Sequence, residues 1–329
     1  MSDNTQFIRK YSLIVWSGNP TNTSLKVGID LSAFRIHFNV QNSDVETPNN
    51  ASIRVYNLSQ TTINNIQTAN GGEYKNVTLS AGYENGNFGV IFQGTIRQYK
   101  IGRENNKDTY LDILAADGDV GYNQGFVNTN MAAGTTIQQR IATVVGAMPG
   151  LLPGYNPDFS QKQFVTQLRG RVLFGMARAQ LSRLTSSLDY TWSIQNGQVN
   201  MIPKTGYLPS TPVKINRMTG LVGLPEQTDG GIKLTCLLNS GLRIGGLVQL
   251  NNDEIQKLMQ QNPDAAPIAY NQWAGFQYNT PLSKDGFYRA YVVEHEGDSR
   301  GGPWYSNLIC LAVKSTDQTK VNTSVAPEH

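Results

Sequence analysis

Three places in the sequence hold residue types whose spacing could support chemistry. Glu294, His295 and Glu296 stand in succession. Carboxylates at i and i+2 of a strand share one face, with Cα atoms roughly 6.5–7 Å apart. An inverting glycosidase could use such a separation, but neighbours on one face do not flank a sugar from opposite sides. His295-Glu296 also begins like a zincin motif, yet the residue three past Glu296 is Ser299 and no second histidine follows. Asp117-Gly118-Asp119 could hold a cation, although a lone Asp-Gly-Asp is more often a turn. The histidines are His37, His295 and His329, and Cys236 and Cys310 lie 74 positions apart. Neither set gives a zinc spacing. Gly-x-Ser-x-Gly elbows and Walker A loops are absent from the sequence. The expectation is no catalytic residue, no metal and no cofactor.

The elements that would position these residues are mostly strands. In residues 1–120, Phe34, Ile36, Phe38 and Val40 alternate with polar neighbours, the period of a half-buried strand. The same alternation recurs at Ile53 and Val55, at Val77, Leu79 and Ala81, and at Leu111, Ile113 and Ala115. Short strands separated by Asn- and Gly-rich turns suggest a barrel or sandwich. Ser59 can cap a short helix over Thr62–Ile66. Residues 121–205 change character. Ile137, Ile141, Val144, Val145 and Met148 have helical spacing behind a Thr N-cap, and Ala177, Leu181, Leu184 and Leu188 write a second helix. Pro149, Pro153 and Pro157 interrupt the connection. Tyr190–Ile194, Asn196-Gly197 and Val199–Ile202 read as a hairpin. Residues 206–320 return to strands at Val213–Ile215, Ile232–Leu238, Gly245–Leu250, Phe287–Val293 and Leu308–Val313, with a helix over Asp253–Gln261. Residues 321–329 form a polar tail.

The chain has 329 residues, with 27 Lys+Arg, 24 Asp+Glu and a net charge of +3. Its 31 Asn and 23 Gln outnumber the charged residues, so neutral hydrogen-bonding groups dominate the polar surface. A charge of +3 argues against a nucleic-acid binder, which concentrates a basic face. The apolar run near the N-terminus is too short for a secretory signal, and no stretch suits a membrane span. Cys236 and Cys310 sit in apolar runs as buried free thiols. The positive excess lies in residues 121–205, which carry 7 basic and 2 acidic groups. Arg169, Arg171, Arg178 and Arg183 there are either a solvated face or an interface suited to carboxylates. Asp298 and Arg300, in the Gly297–Gly302 loop, pair locally or pin that turn. Trp16, Trp192, Trp273 and Trp304 share no spacing and read as core.

Several segments together resemble phage baseplate hub proteins. NNASIRVYNL at 49–58, VTLSAGY at 77–83, IFQGTI at 91–96 and AADGD at 115–119 resemble the N-terminal domain of that family. TGLVGLPEQTDGGIKLTCLLN at 219–239, RIGGLVQL at 243–250 and VEHEGDSRGGPWYSNLIC at 293–310 are similar to its C-terminal part. The resemblance implies an α+β, mainly β fold with two tube-like β-barrel domains around a helical domain. It implies a homotrimeric ring between a hexameric tail tube and a trimeric spike, with other baseplate proteins as partners. The location implied is the virion tail, assembled in the bacterial cytoplasm. Longer relatives carry appended lysozyme or peptidase domains; the expectation for this chain is that it lacks one, so that wall hydrolysis is not carried over and no catalytic residue transfers. Arg169, Arg171, Arg178 and Arg183, with Asp298, Arg300 and Trp304, are the expected contact residues. The competing readings are a glycan hydrolase using Glu294 and Glu296, and a carbohydrate- or receptor-binding β module.

Overall fold

A computed structural model describes residues 5–16, 28–67, 76–157, 168–228, 231–250 and 286–313. The first β region runs β1 (Thr5–Trp16), β2 (Gly28–Asp30), β3 (Ile36–Ser43), β4 (Asn50–Tyr56), α1 (Gln60–Gln67), β5 (Asn76–Asn85), β6 (Gly89–Arg103) and β7 (Thr109–Ala116). A mixed region follows: α2 (Asp119–Gln124), β8 (Phe126–Met131), α3 (Ile137–Gly146), β9 (Leu152–Pro153), β10 (Arg171–Met176), α4 (Ala177–Ser186), β11 (Tyr190–Gln195) and β12 (Gln198–Pro203). The last β region holds β13 (Val213–Ile215), β14 (Leu221–Thr228), β15 (Gly231–Leu237), β16 (Leu247–Leu250), β17 (Phe287–Asp298) and β18 (Trp304–Ala312). Strands take 54% and helices 14% of the described residues, so the fold is mainly β.

Alternation builds the first core. Ile36, Phe38 and Val40 of β3, Ile53 and Val55 of β4, and Leu111 and Ile113 of β7 are all fully buried. Their strand neighbours turn to the other face. Leu13, Val15, Val77, Leu79 and Phe92 complete this core, with Ile63 and Ile66 of α1 packed into it. Ser59 caps α1, its Oγ accepting the Thr62 amide at 3.1 Å. Each such side chain contributes about 1.5–3 kcal/mol of burial.

The two β regions are one sheet. Thirteen strands run β14-β15-β18-β17-β3-β4-β7-β6-β5-β1-β2, with β16 and β13 attached beside β17. The join is β17 to β3, in antiparallel register from Val292↔Ser43 to Asp298↔His37. Both edges of β17 are thereby occupied, since β18 pairs along the other side. The expected pair of barrels is therefore replaced by a large open sheet, mostly antiparallel, and no barrel closes among the described residues. Both β17 and β18 are longer than their apolar runs suggest. The alternation continues through His295 and Gly297, so the strand persists past the point where its residues turn polar.

The mixed region has its own core, containing Ile137, Ile141, Val144, Val145 and Met148 with Leu173, Leu181, Trp192 and Met201. Thr136 caps α3 in a reciprocal box with Gln139, an arrangement that satisfies two orphan amides. Asn196 and Gly197 both take positive φ, 53° and 76°, in the turn between β11 and β12. Those angles are what a two-residue hairpin of matching twist requires. The helix expected over Asp253–Gln261 and the 321–329 tail lie outside the described residues.

Candidate functional site

The carboxylate pair is a surface feature. Glu294 and Glu296 lie on the outer face of β17, and the buried His295 between them faces the core. Strand alternation thus separates the His-Glu dipeptide onto opposite sides. Glu294 Oε1 accepts from Asn39 Nδ2 at 2.7 Å and from Gln41 Nε2 at 3.5 Å. His295 Nδ1 is 2.8 Å from Ser306 Oγ, and burial pushes its pKa down to about 4, so the ring is neutral. The arrangement offers a pinned carboxylate and a neutral imidazole, with no shared reaction centre.

The Asp117-Gly118-Asp119 carboxylates diverge as well. Asp117 is buried, accepts the Gly197 amide at 2.8 Å, and burial pushes its pKa up to about 7. It therefore holds the β11–β12 turn against the first β region. Gly118 has φ 66°, and a Cβ there would lie 2.7 Å from Ile194 and Leu151. Asp119 opens α2 and faces Arg97 at 3.5 Å. Among the described residues, no cluster of three or more His, Cys, Asp or Glu could hold a metal ion. Cys236 and Cys310 are free and buried, and burial pushes both thiols up to about 12. A thiol so raised is not a nucleophile at neutral pH.

The densest polar constellation went unread in the sequence. It lies where the three regions meet. Arg289 of β17 forms an ion pair with Asp44, and both side chains are almost wholly buried. The same guanidinium donates to the carbonyls of Pro203, Lys204 and Gly206 at 2.9, 3.2 and 3.1 Å. Burial lowers its pKa to about 10, which leaves it charged at neutral pH. Beside it, Asn49 Nδ2 donates to the Ile194 carbonyl and to Gln195 Oε1, both at 2.9 Å. Its Oδ1 accepts the Ser43 amide. All three regions thus contribute residues to a single seam. The signal available in sequence was a lone arginine inside the apolar run Phe287–Val293, since a buried charge must find a partner.

The 297–304 loop is clasped from the first β region. Asp298 Oδ1 accepts the Arg300 amide at 2.9 Å, which pins the turn as expected. Its side-chain partner is Arg35, held through two bonds of 3.2 and 2.6 Å. Arg9 adds bonds to the carbonyls of Asp298, Gly301 and Gly302 and lies 5.4 Å from the centre of the Trp304 ring. Trp304 is itself 1% exposed and packs edge-on against Phe38. It is a core residue, and the loop presents Arg300 rather than Trp304 to the outside. Of the middle arginines, Arg169, Arg171 and Arg183 are exposed. Arg178 is engaged internally, with the Tyr122 carbonyl at 3.2 Å, Asn123 Oδ1 at 3.0 Å and the Tyr122 ring beneath it.

A cavity of about 470 Å³ opens near the seam, lined in part by Asn42, Tyr155, Asn200 and Arg243. Asn200 Oδ1 already accepts the Tyr155 amide at 2.6 Å and Asn42 reaches the Ile91 carbonyl at 3.4 Å, so these amides serve the fold.

Residues 22–255 match the model of the family described as Baseplate hub gp41. The chain belongs to that family. In fold it is similar to the 43 kDa tail protein of prophage MuSo2 from Shewanella oneidensis, with TM-score 0.52, 7% identity, and 92% of this chain and 98% of that one covered. It is similar also to a tail protein from Neisseria meningitidis MC58, with TM-score 0.54, 9% identity, and 96% and 99% covered. An E. coli component of the type VI secretion system, itself structurally similar to T4 tail proteins gp27 and gp5, gives TM-score 0.52 at 9% identity over 86% and 74%. No curated protein matches the chain in sequence. Membership of the baseplate hub family makes this a structural protein of the phage tail and baseplate. No described helix is long and apolar enough to cross a membrane. For a baseplate protein the relevant chemistry is that of its surfaces and of the seam that holds them in register.

Proposed function

We propose that three copies form a ring joining a hexameric tail tube to a central trimeric spike. The observation that carries this reading is the sheet that runs unbroken from one β region into the other. Each chain then brings two β units locked side by side, and three chains bring six. Among the described residues the sheet is open, with β14 at one end and β2 at the other, and an exposed strand edge is a ready template for pairing. Copies meeting head to tail close such edges when the rotation is a third of a turn. Residues 1–120 and 206–320 supply the two β units of that sheet and 121–205 the domain between them. Arg183 and Arg300, exposed and without a described ion-pair partner, are the contact residues that charge reversal should expose. Tube, spike and other baseplate proteins are the partners in the virion, after assembly in the host cytoplasm. The role needs no catalysis, cofactor, specific nucleic acid or membrane insertion, and the pinned Glu294 gives no support to glycan hydrolysis. The test is particle assembly with Arg183→Glu and Arg300→Glu. Reduced yield of complete baseplates supports the reading, and unchanged yield contradicts the assigned contacts.

A further inference from the structure

The β8–β10 ribbon carries an unusual surface. Its outer face pairs Phe126 with Met176, Asn128 with Phe174 and Asn130 with Val172. Phe126, Val172 and Phe174 are 50%, 65% and 63% exposed, and the two rings touch edge-on with centroids 5.3 Å apart. Leu168, just before β10, is 86% exposed. A contiguous apolar strand face of this kind marks an interaction site. Its inner face is already satisfied, with Val127 and Leu173 in the core of the mixed region.

The charge around the ribbon says what should cover it. Arg169 and Arg171 stand exposed at its β10 end. Arg140 of α3 is close enough for the Arg171 charge to lower its pKa further, after burial has already done so. The Arg140 Nε is buried with no hydrogen-bond partner among the described residues. Guanidinium groups beside an apolar face, with no ion-pair partner among the described residues, match carboxylates through their forked donors. A second copy of the chain is poorly suited. Among the described residues, the most exposed apolar side chains outside the mixed region are Phe7 and Met218. Each is flanked by its own basic residues, Arg9 and Lys10 or Arg217, and would set positive charge against positive charge.

We infer that the β8–β10 ribbon docks an apolar segment of another protein that ends in carboxylates, with Phe126, Val172 and Phe174 taking the apolar part and Arg140, Arg169 and Arg171 the acidic end. This site is separate from the sheet edges and does not depend on ring formation. Fluorescence anisotropy with the full chain tests it, using labelled peptides that share a Val/Phe/Thr core and end in Asp-Glu, Asn-Gln or Lys-Arg. The acidic peptide should bind tightest. Phe174→Asn should weaken it about tenfold by removing an apolar anchor, with near-UV circular dichroism unchanged because Phe174 is outside the core. Arg171→Glu should move the preference to the basic peptide. Equal affinity for the three ends, or no binding of any, overturns the inference. Self-association of the free chain in sedimentation, abolished by Phe174→Asn, overturns it in favour of a copy-to-copy contact.

Discussion

The seam between the three regions and the open face of β17 are built from the same residue types, put to opposite uses. At the seam, Asp44, Asn49, Asp117 and Arg289 are buried or nearly so, and each holds a segment distant in sequence. On the open face, Glu294 meets Asn39 and Gln41, and farther along the same sheet Arg54 of β4 meets Asp112 of β7 at 2.7 Å, with solvent alongside. A buried charge that loses its partner costs about 3–5 kcal/mol, whereas an exposed pair is worth about 0–1 kcal/mol. Carboxylates and arginines therefore fix the shape of this hub where they are hidden. Where they are visible they leave the surface free for neighbours.

Breaking the seam gives the largest expected effect. Arg289→Met should cost about 3–5 kcal/mol in urea unfolding, because Asp44 and three carbonyls lose their donor. A loss below about 1 kcal/mol would mean that the regions hold together without it.

Proton linkage separates two other buried groups. His295 has a folded pKa of about 4 against 6.5. Its contribution to stability is therefore full above pH 6.5 and is lost as pH falls toward 4. Asp117 has a folded pKa of about 7 against 3.8. Its contribution is full below pH 3.8 and is lost as pH rises toward 7. Each amounts to about 3–4 kcal/mol across its window, so the two oppose each other between pH 4 and 6.5. Relative to the parent chain, Asp117→Asn should make stability rise more steeply with pH over that range. His295→Gln should make it fall. Denaturation midpoints at pH 4.5 and 6.5, values chosen inside that window, check both slopes, and slopes that change in the same direction would contradict the account.

Smaller effects sharpen the contrast. Asp298→Asn weakens the Arg35 clasp, whose arginine is 42% exposed, and should cost about 1 kcal/mol in the same urea assay. Glu294→Gln with Glu296→Gln should stay within about 0.5 kcal/mol. The same double variant should leave baseplate assembly unchanged in the particle-yield assay.

Local physics was legible in the sequence and long-range pairing was not. The Thr136 cap, the α3 stripe and the Asn196-Gly197 turn each follow from a few adjacent residues, and all three stand in the structure. The alternation in β3, β4, β5 and β7 likewise predicts which side chains are buried. The β17–β3 pairing joins segments more than 240 positions apart, and period-2 patterning names no partner. For the same reason nothing in the local pattern pairs Asp44 with Arg289. The 297–304 loop stood out for its charges, but its actual clasp comes from Arg9 and Arg35, nearly the whole chain away. The exposed ribbon was visible only as an arginine excess, since Phe126 and Phe174 belong to different strands.

Sedimentation of the purified chain with and without tube protein tests the central claim most directly. The hub reading predicts a closed trimer, at the latest when tube protein is present. A chain that remains a monomer with both tube and spike proteins in excess would contradict it.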